Sequence, residues 1–326
     1  MGVPTLGRRP RAGNPRFTDP RYPVRVRPLT GDQFPLARGP WRAVITQLAA
    51  GLRSLSVDGV ELTPSYPETT IAPLGAGIVL VPWPNRVRDG VWQLNGAPQQ
   101  LDITEVRYGN ASHGLLRNTA YQVAAQDAAS VTLTAAVHPQ HGYPFLLDTS
   151  VRYELVDDGL QVTHQITNQT DVAAPVALGT HPFLQIGDVP SEQLTLTVHA
   201  ASRYEVDERK IPTGQVPVDD DYDLRSGRLV GELNLDATFG DVTTRDGVAA
   251  TLAAPDGRTV SLLMDDSFPY VQVFTPREYP LPSGAGLAVA VEPMTAPGNA
   301  FNSGDGLRWL APGETWTAVW GIRYAE

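Results

Sequence analysis

The chain has 326 residues, no cysteine and a formal net charge of −10 at pH 7. Without Cys there can be no disulfide, thiolate metal site or Cys nucleophile, and an acidic body argues against nucleic acid as the main partner. No apolar run approaches the ~18 residues of a membrane span, and the Arg- and Pro-rich start has no apolar segment of the signal-peptide kind, so a cytoplasmic location without a membrane partner is expected.

Residues 1–30 carry seven Arg against one acid, Asp19, interleaved with Pro and Gly and without apolar periodicity. They read as a flexible arm. From Gly31 onward the pattern is β. Leu52–Val57 reaches Asp58-Gly59 and resumes at 60–62; 91–94 runs into Asn95-Gly96. Residues 150–156 turn at Asp157-Asp158-Gly159 into 160–166, and 251–254 turn at Pro255-Asp256-Gly257 into 259–263. Asn-Gly and Asp-Gly between alternating apolar segments mark hairpins, because primed turns need positive φ at their centre. No segment sustains a 3.6 period, so the fold class is all-β with antiparallel sheets. No second linker appears, and residues 31–326 read as one large β-domain, too long for a simple seven-to-nine-strand sandwich.

Polar residues that interrupt apolar sequence are the candidates for chemistry. Pro82-Trp83-Pro84-Asn85-Arg86-Val87-Arg88 follows the apolar run 78–81, and His113-Gly114 sits among small residues. His181, in Thr180-His181-Pro182-Phe183, comes just after the apolar stretch 175–179; Glu292 follows the apolar run 287–291 and is expected to project from that strand's end into a Pro/Gly-rich loop. An imidazole and a carboxylate placed in this way suit general acid and general base chemistry. Gln272 lies among Val271, Val273 and aromatics, and an inward-facing Gln needs partners that a ligand can supply. His138 and His141 have His-x-x-His spacing but lack a third ligand, so no metal is expected there. His164 and His199 sit in alternating strands and read as surface or cross-strand histidines.

Taken together, these segments resemble the aldose 1-epimerase (mutarotase) family, in the same order over about residues 31–326. The resemblance implies a large antiparallel β-supersandwich with a cleft on one sheet, no cofactor, no metal, and a monosaccharide as the partner of a monomer or homodimer. It implies that Glu292 is the general base, His181 the general acid, and His113 a hydrogen-bonding catalytic group. Asn85, Arg86, Asp236 (in Leu235-Asp236-Ala237-Thr238-Phe239) and Gln272 would hold sugar hydroxyls, and Trp83 or Phe183 would stack on the apolar sugar face. Pro297-Gly298-Asn299-Ala300 stands where the family has Pro-Asp-Ala. The sequence departs from the pattern at Thr180, where the family has Asn, and at Pro182 after the histidine.

The expected reaction is interconversion of α and β anomers of a free aldose by acid/base ring opening. Segments 82–84 and 113–117 also resemble hexose-6-phosphate 1-epimerases, with Arg86, Arg88 and Arg117 as candidate phosphate ligands. A non-catalytic carbohydrate-binding protein and a glycosidase using Glu292 and Asp236 are the other readings; the glycosidase leaves His181 without a task.

Overall fold

The computed structural model describes residues 27–326. Two large antiparallel sheets dominate. The nine-stranded sheet runs Gln122–Gln126, Ser130–Val137, Leu147–Val156, Gly159–Asn168, Thr315–Ala325, Thr259–Met264, Val248–Ala253, Thr195–Val198 and Arg228–Leu229. The eight-stranded sheet runs Pro212–Pro217, Ala200–Val206, Asp236–Val242, Tyr270–Phe274, Val289–Met294, Gly179–Thr180 and Val79–Leu80, with Phe183–Leu184 also pairing to Val289–Met294. A four-stranded sheet, Gln33–Arg38 to Val60–Glu61, precedes them. The expected β-supersandwich is present.

Side-chain alternation explains the layering. In Leu147–Val156 every second residue is buried, which is the period a half-covered strand requires. Inner residues of both large sheets, such as Val162, Trp320, Phe239 and Val291, belong to one apolar core. His164 is part of that interior, not of the surface: it accepts a 3.0 Å hydrogen bond from Trp320 Nε1, and burial lowers its pKa to about 3.

Three of the four expected turns have the anticipated backbone: Asp58-Gly59, Asn95-Gly96 and Gly257 all have positive φ. The turn at 157–158 does not, since Val156 pairs directly with Gly159 and neither aspartate has positive φ. Gly159 is needed there for packing, because a Cβ would meet Ile322 O at 1.9 Å.

The basic arm falls on residues 1–30, of which 1–26 lie outside the described residues. Its last residues are part of the body. The Leu29 amide donates to Glu68 O at 2.8 Å, the Leu48 amide donates to Thr30 O at 2.9 Å, and Thr30 is 1% exposed.

Candidate active site

Three adjacent strands of the eight-stranded sheet form the floor of the site. Their register sets Thr238 opposite Gln272, and Gln272 opposite Glu292. Residues directly opposite share a face, so these three side chains form a row across the sheet. Asp236, two residues before Thr238, joins them. The intervening Ala237, Phe239, Val271, Val273 and Val291 point the other way, into the core. Glu292 is therefore in the middle of Val289–Met294, not at a strand end as its sequence context implied.

Loops between strands supply the walls. Asn85, with φ of 54°, precedes the short strand Arg86–Val87, which pairs with Ala111–Ser112. Directly after that pairing, the His113 amide donates to Asn85 O at 2.8 Å. Gly114 passes under Val81 so closely that a Cβ would stand 2.1 Å from Val81 O, and its φ is +72°. Close approach by backbone is what this glycine permits. His181 follows the strand Gly179–Thr180 and is fixed by its amide, which donates to Ile78 O at 3.1 Å.

Polar groups converge from these elements. His181 Nε2 lies 3.3 Å from Glu292 Oε1, with the two residues 4% and 3% exposed. The His113 ring stands edge-on to that of His181 with centroids 5.6 Å apart. Gln272 Oε1 accepts from Thr238 Oγ1 at 2.6 Å and from Asn85 Nδ2 at 3.3 Å, while its Nε2 donates to Asp236 Oδ1 at 2.7 Å. Arg86 is gripped by Glu105 through two bonds of 2.8 and 3.0 Å. Asn299, in the Pro-Gly-Asn-Ala segment, braces this wall from behind: its amide donates to Arg86 O, and its Oδ1 accepts the Arg88 amide at 3.1 Å.

The expected aromatic platforms have other tasks. Trp83 lies in the core edge-on to Phe301, 2% exposed, which removes it from a sugar-stacking role. Phe183 stacks on the His181 ring at 5.4 Å and is backed by Tyr279 at 4.7 Å, so it orients the imidazole. Glu105, Thr238, Lys210 and Asn299 were not singled out from the sequence for roles of their own. A charged residue in a loop, or a Thr in a strand, carries no local signal of the side chains it will meet.

Burial sets the electrostatics. It drives the Glu292 carboxyl well above its usual range, with the negative charge of Asp236 adding to the rise. It also lowers His181 to about 4 and holds His113 well below its ordinary value, with Arg117 and Arg86 pushing both imidazoles further down. Both members of the 3.3 Å pair are thus driven toward their neutral forms, in which the pair shares one transferable proton. Among the described residues, no group of three or more His, Asp or Glu is placed to hold a metal.

A small cleft, with an internal volume of about 10 Å³, lies over Asn85, Arg86, Asp236, Thr238 and Gln272, walled by Val206, Lys210 and Pro212. A much larger hollow, of about 610 Å³, is elsewhere, on the nine-stranded sheet around Thr134, Asp148 and Gln165. Size alone would favour that hollow. It contains none of the converging groups, whereas the smaller cleft is lined by the amides, Arg86 and Asp236, with Gln272 directly opposite Glu292 in the sheet, so the smaller cleft is the candidate site.

A two-sheet antiparallel supersandwich with a His–Glu pair and a polar row on one face defines a mutarotase-like protein. The profile of the aldose 1-epimerase family matches residues 36–323, and the chain belongs to that family. Membership places it among carbohydrate epimerases. The uncharacterized protein YihR of Escherichia coli K12 is 36% identical over 293 residues, covering 87% of this chain and 91% of that one. The fold is similar to that of a GalM/aldose epimerase homologue from C. elegans, with a TM-score of 0.80 at 19% identity over 90% of this chain and 99% of that one. It is also similar to a putative aldose 1-epimerase of E. coli K12, with a TM-score of 0.77 at 19% identity over 90% of this chain and 99% of that one.

Proposed function

We propose that this protein interconverts the α and β anomers of a free aldose. The observation that carries the reading is the buried 3.3 Å contact between His181 Nε2 and Glu292 Oε1 above a floor of fixed polar side chains. Moving one proton across that contact converts the neutral pair into carboxylate and imidazolium. The Glu292 carboxylate then takes the proton of the anomeric hydroxyl while His181 gives its proton to the ring oxygen. The ring opens, the aldehyde rotates about C1–C2, and closure on the other face reverses both transfers. After opening, Glu292 and His181 are both neutral, which is the arrangement that burial favours. The desolvation that opposes the starting ion pair therefore assists its discharge.

His113, held neutral, is a hydrogen-bonding partner for the ring or anomeric oxygen. Asn85, Arg86, Asp236 and Gln272 hold hydroxyls and fix the ring for transfer. A neutral sugar suits this cleft better than a 6-phosphate. Arg86 is engaged by Glu105, and Arg88 by Asp207, leaving Arg117, which donates to Ser112 O at 3.2 Å, as the one of the three candidates without an ion pair among the described residues.

Polarimetric relaxation of freshly dissolved α-glucose and α-galactose, beside their 6-phosphates, tests the reading. Glu292→Gln and His181→Asn should each slow turnover by at least ~10²-fold while sugar binding survives. The double variant should lose far less than the product of the two effects, because the transfers act as a unit. Near-wild-type rates in either folded single variant would leave a non-catalytic carbohydrate-binding protein as the better reading.

A further inference from the structure

Lys210 is the sole lysine of the chain, and it stands in the wall of the cleft. It occupies the turn between Ala200–Val206 and Pro212–Pro217 with φ of 62°, a conformation that a long L side chain adopts at a cost. Asp207 imposes the turn. Its Oδ1 accepts the amides of Arg209 and Ile211 at 2.9 and 3.0 Å, and its carbonyl accepts the Lys210 amide at 3.0 Å. Ion pairs from Asp207 to Arg88 and from Arg209 to Asp89 then tie the turn to the segment that follows Asn85 and Arg86.

The ammonium is aimed at one oxygen. Asp236 Oδ1 is occupied by Gln272 Nε2 at 2.7 Å, whereas Oδ2 accepts no hydrogen bond among the described residues. Lys210 Nζ stands 3.6 Å from Oδ2, and Arg86 Nη2 stands 3.9 Å from the same atom. Both separations are too long for a direct hydrogen bond. Each leaves donor and acceptor open to one hydroxyl oxygen lying beside the pair, within about 2.7–2.9 Å of both. A hydroxyl between Nζ and Oδ2 accepts from the first and donates to the second. A second hydroxyl between Nη2 and Oδ2 does the same from the other side.

We propose that Lys210, Asp236 and Arg86 form a clamp for a vicinal diol of the sugar, and that Lys210 is a substrate-contacting residue that determines specificity by reading one hydroxyl of the pair. The proposal rests on the sugar-epimerase reading above and adds a recognition element to it. Lys210 contributes donors only, so a sugar position that lacks oxygen forfeits a charge-assisted hydrogen bond, and the site discriminates against that deoxy analogue.

The test separates recognition from turnover by using methyl α- and β-glycosides of glucose and galactose, which bind but cannot open, together with their monodeoxy derivatives. Calorimetry on the wild-type chain should show a loss of about 10–100-fold in affinity at one deoxy position, the worth of a hydrogen bond to a charged group. Lys210→Gly suits the backbone at this φ and should leave the melting temperature unchanged or raised. It should bind the parent glycoside weaker by a similar factor and show less than about a threefold further loss at that same position. Lys210→Arg should restore part of the discrimination. An unchanged deoxy penalty in Lys210→Gly, or the absence of any such penalty in the wild type, would overturn the clamp. Intact discrimination with no mutarotation would instead sink the epimerase reading and leave the clamp in place.

Discussion

At the scale of residues, the pairing of His181 with Glu292 makes the pH dependence specific. Activity needs one proton on the pair. Below the region near 4 where His181 also becomes protonated, Glu292 no longer accepts; above the raised Glu292 value the pair is empty. A polarimetric rate profile should have an acid limb near 4 and an alkaline limb well above the ordinary carboxylate range, with its plateau between them. The two limbs belong to the pair jointly. An acid limb at the usual imidazole value would contradict this. Stability follows from the same shifts. Between the ordinary value of Glu292 and its raised one, the native state binds more protons than the unfolded chain, so the Glu292 contribution falls as pH rises. For His181 the sign is opposite: between about 4 and 6.5 the unfolded chain binds more protons, and stability rises with pH. Glu292→Gln, which resembles the protonated acid, should therefore melt at or above the wild-type temperature, with the gap widening on the alkaline side. An alkaline melting point below wild type would show that the carboxylate is compensated in the native state.

At the scale of elements, strand register and tight backbone approach build the site. Gly114→Ala would drive a methyl into Val81 O at a φ that alanine tolerates poorly. It should cost at least ~1–2 kcal/mol in denaturant unfolding and slow mutarotation by displacing the neighbouring His113. A variant with wild-type stability and rate would mean that the loop relaxes freely. Much of this scale was legible in sequence. Alternating strands, the Asp58-Gly59 and Asn95-Gly96 turns, and the His113-Gly114 and His181 segments all carry local signatures. Glu292 was placed at a strand end because it follows the apolar run 287–291 and leads into a Pro/Gly-rich stretch; the strand nevertheless continues through Pro293 to Met294. Trp83 was given a sugar-stacking role by the family resemblance, yet its packing against Phe301 depends on a contact more than two hundred residues away. The grip of Glu105 on Arg86 was invisible for a related reason: nothing in a loop's composition reports which side chain it will meet.

At the scale of the whole molecule, the N-terminal boundary is open to direct measurement. A chain beginning at Arg27 keeps the Leu29–Glu68 and Leu48–Thr30 backbone bonds, and its melting temperature and activity should equal those of the full chain. One beginning at Gly31 loses both bonds and should melt about 2–4 °C lower while retaining activity, since neither bond touches the cleft. Equal melting of the two would show that Thr30 and Leu29 contribute nothing to the body. The floor of the cleft and the core are opposite faces of the same three strands, with Gln272 between Val271 and Val273 and Glu292 beside Val291. Inserting or deleting a single residue in any of them would exchange acid and amide for valine and put charge into the core. Across evolution, the catalytic floor can accordingly change only by substitution, one side chain at a time. The turn that carries Lys210 and the loop that carries Glu105 have no pleat to keep in register, so a change of length there inverts no strand. New sugar preferences are therefore expected to arise by remodelling the rim of the cleft, over a floor whose register is locked by the fold.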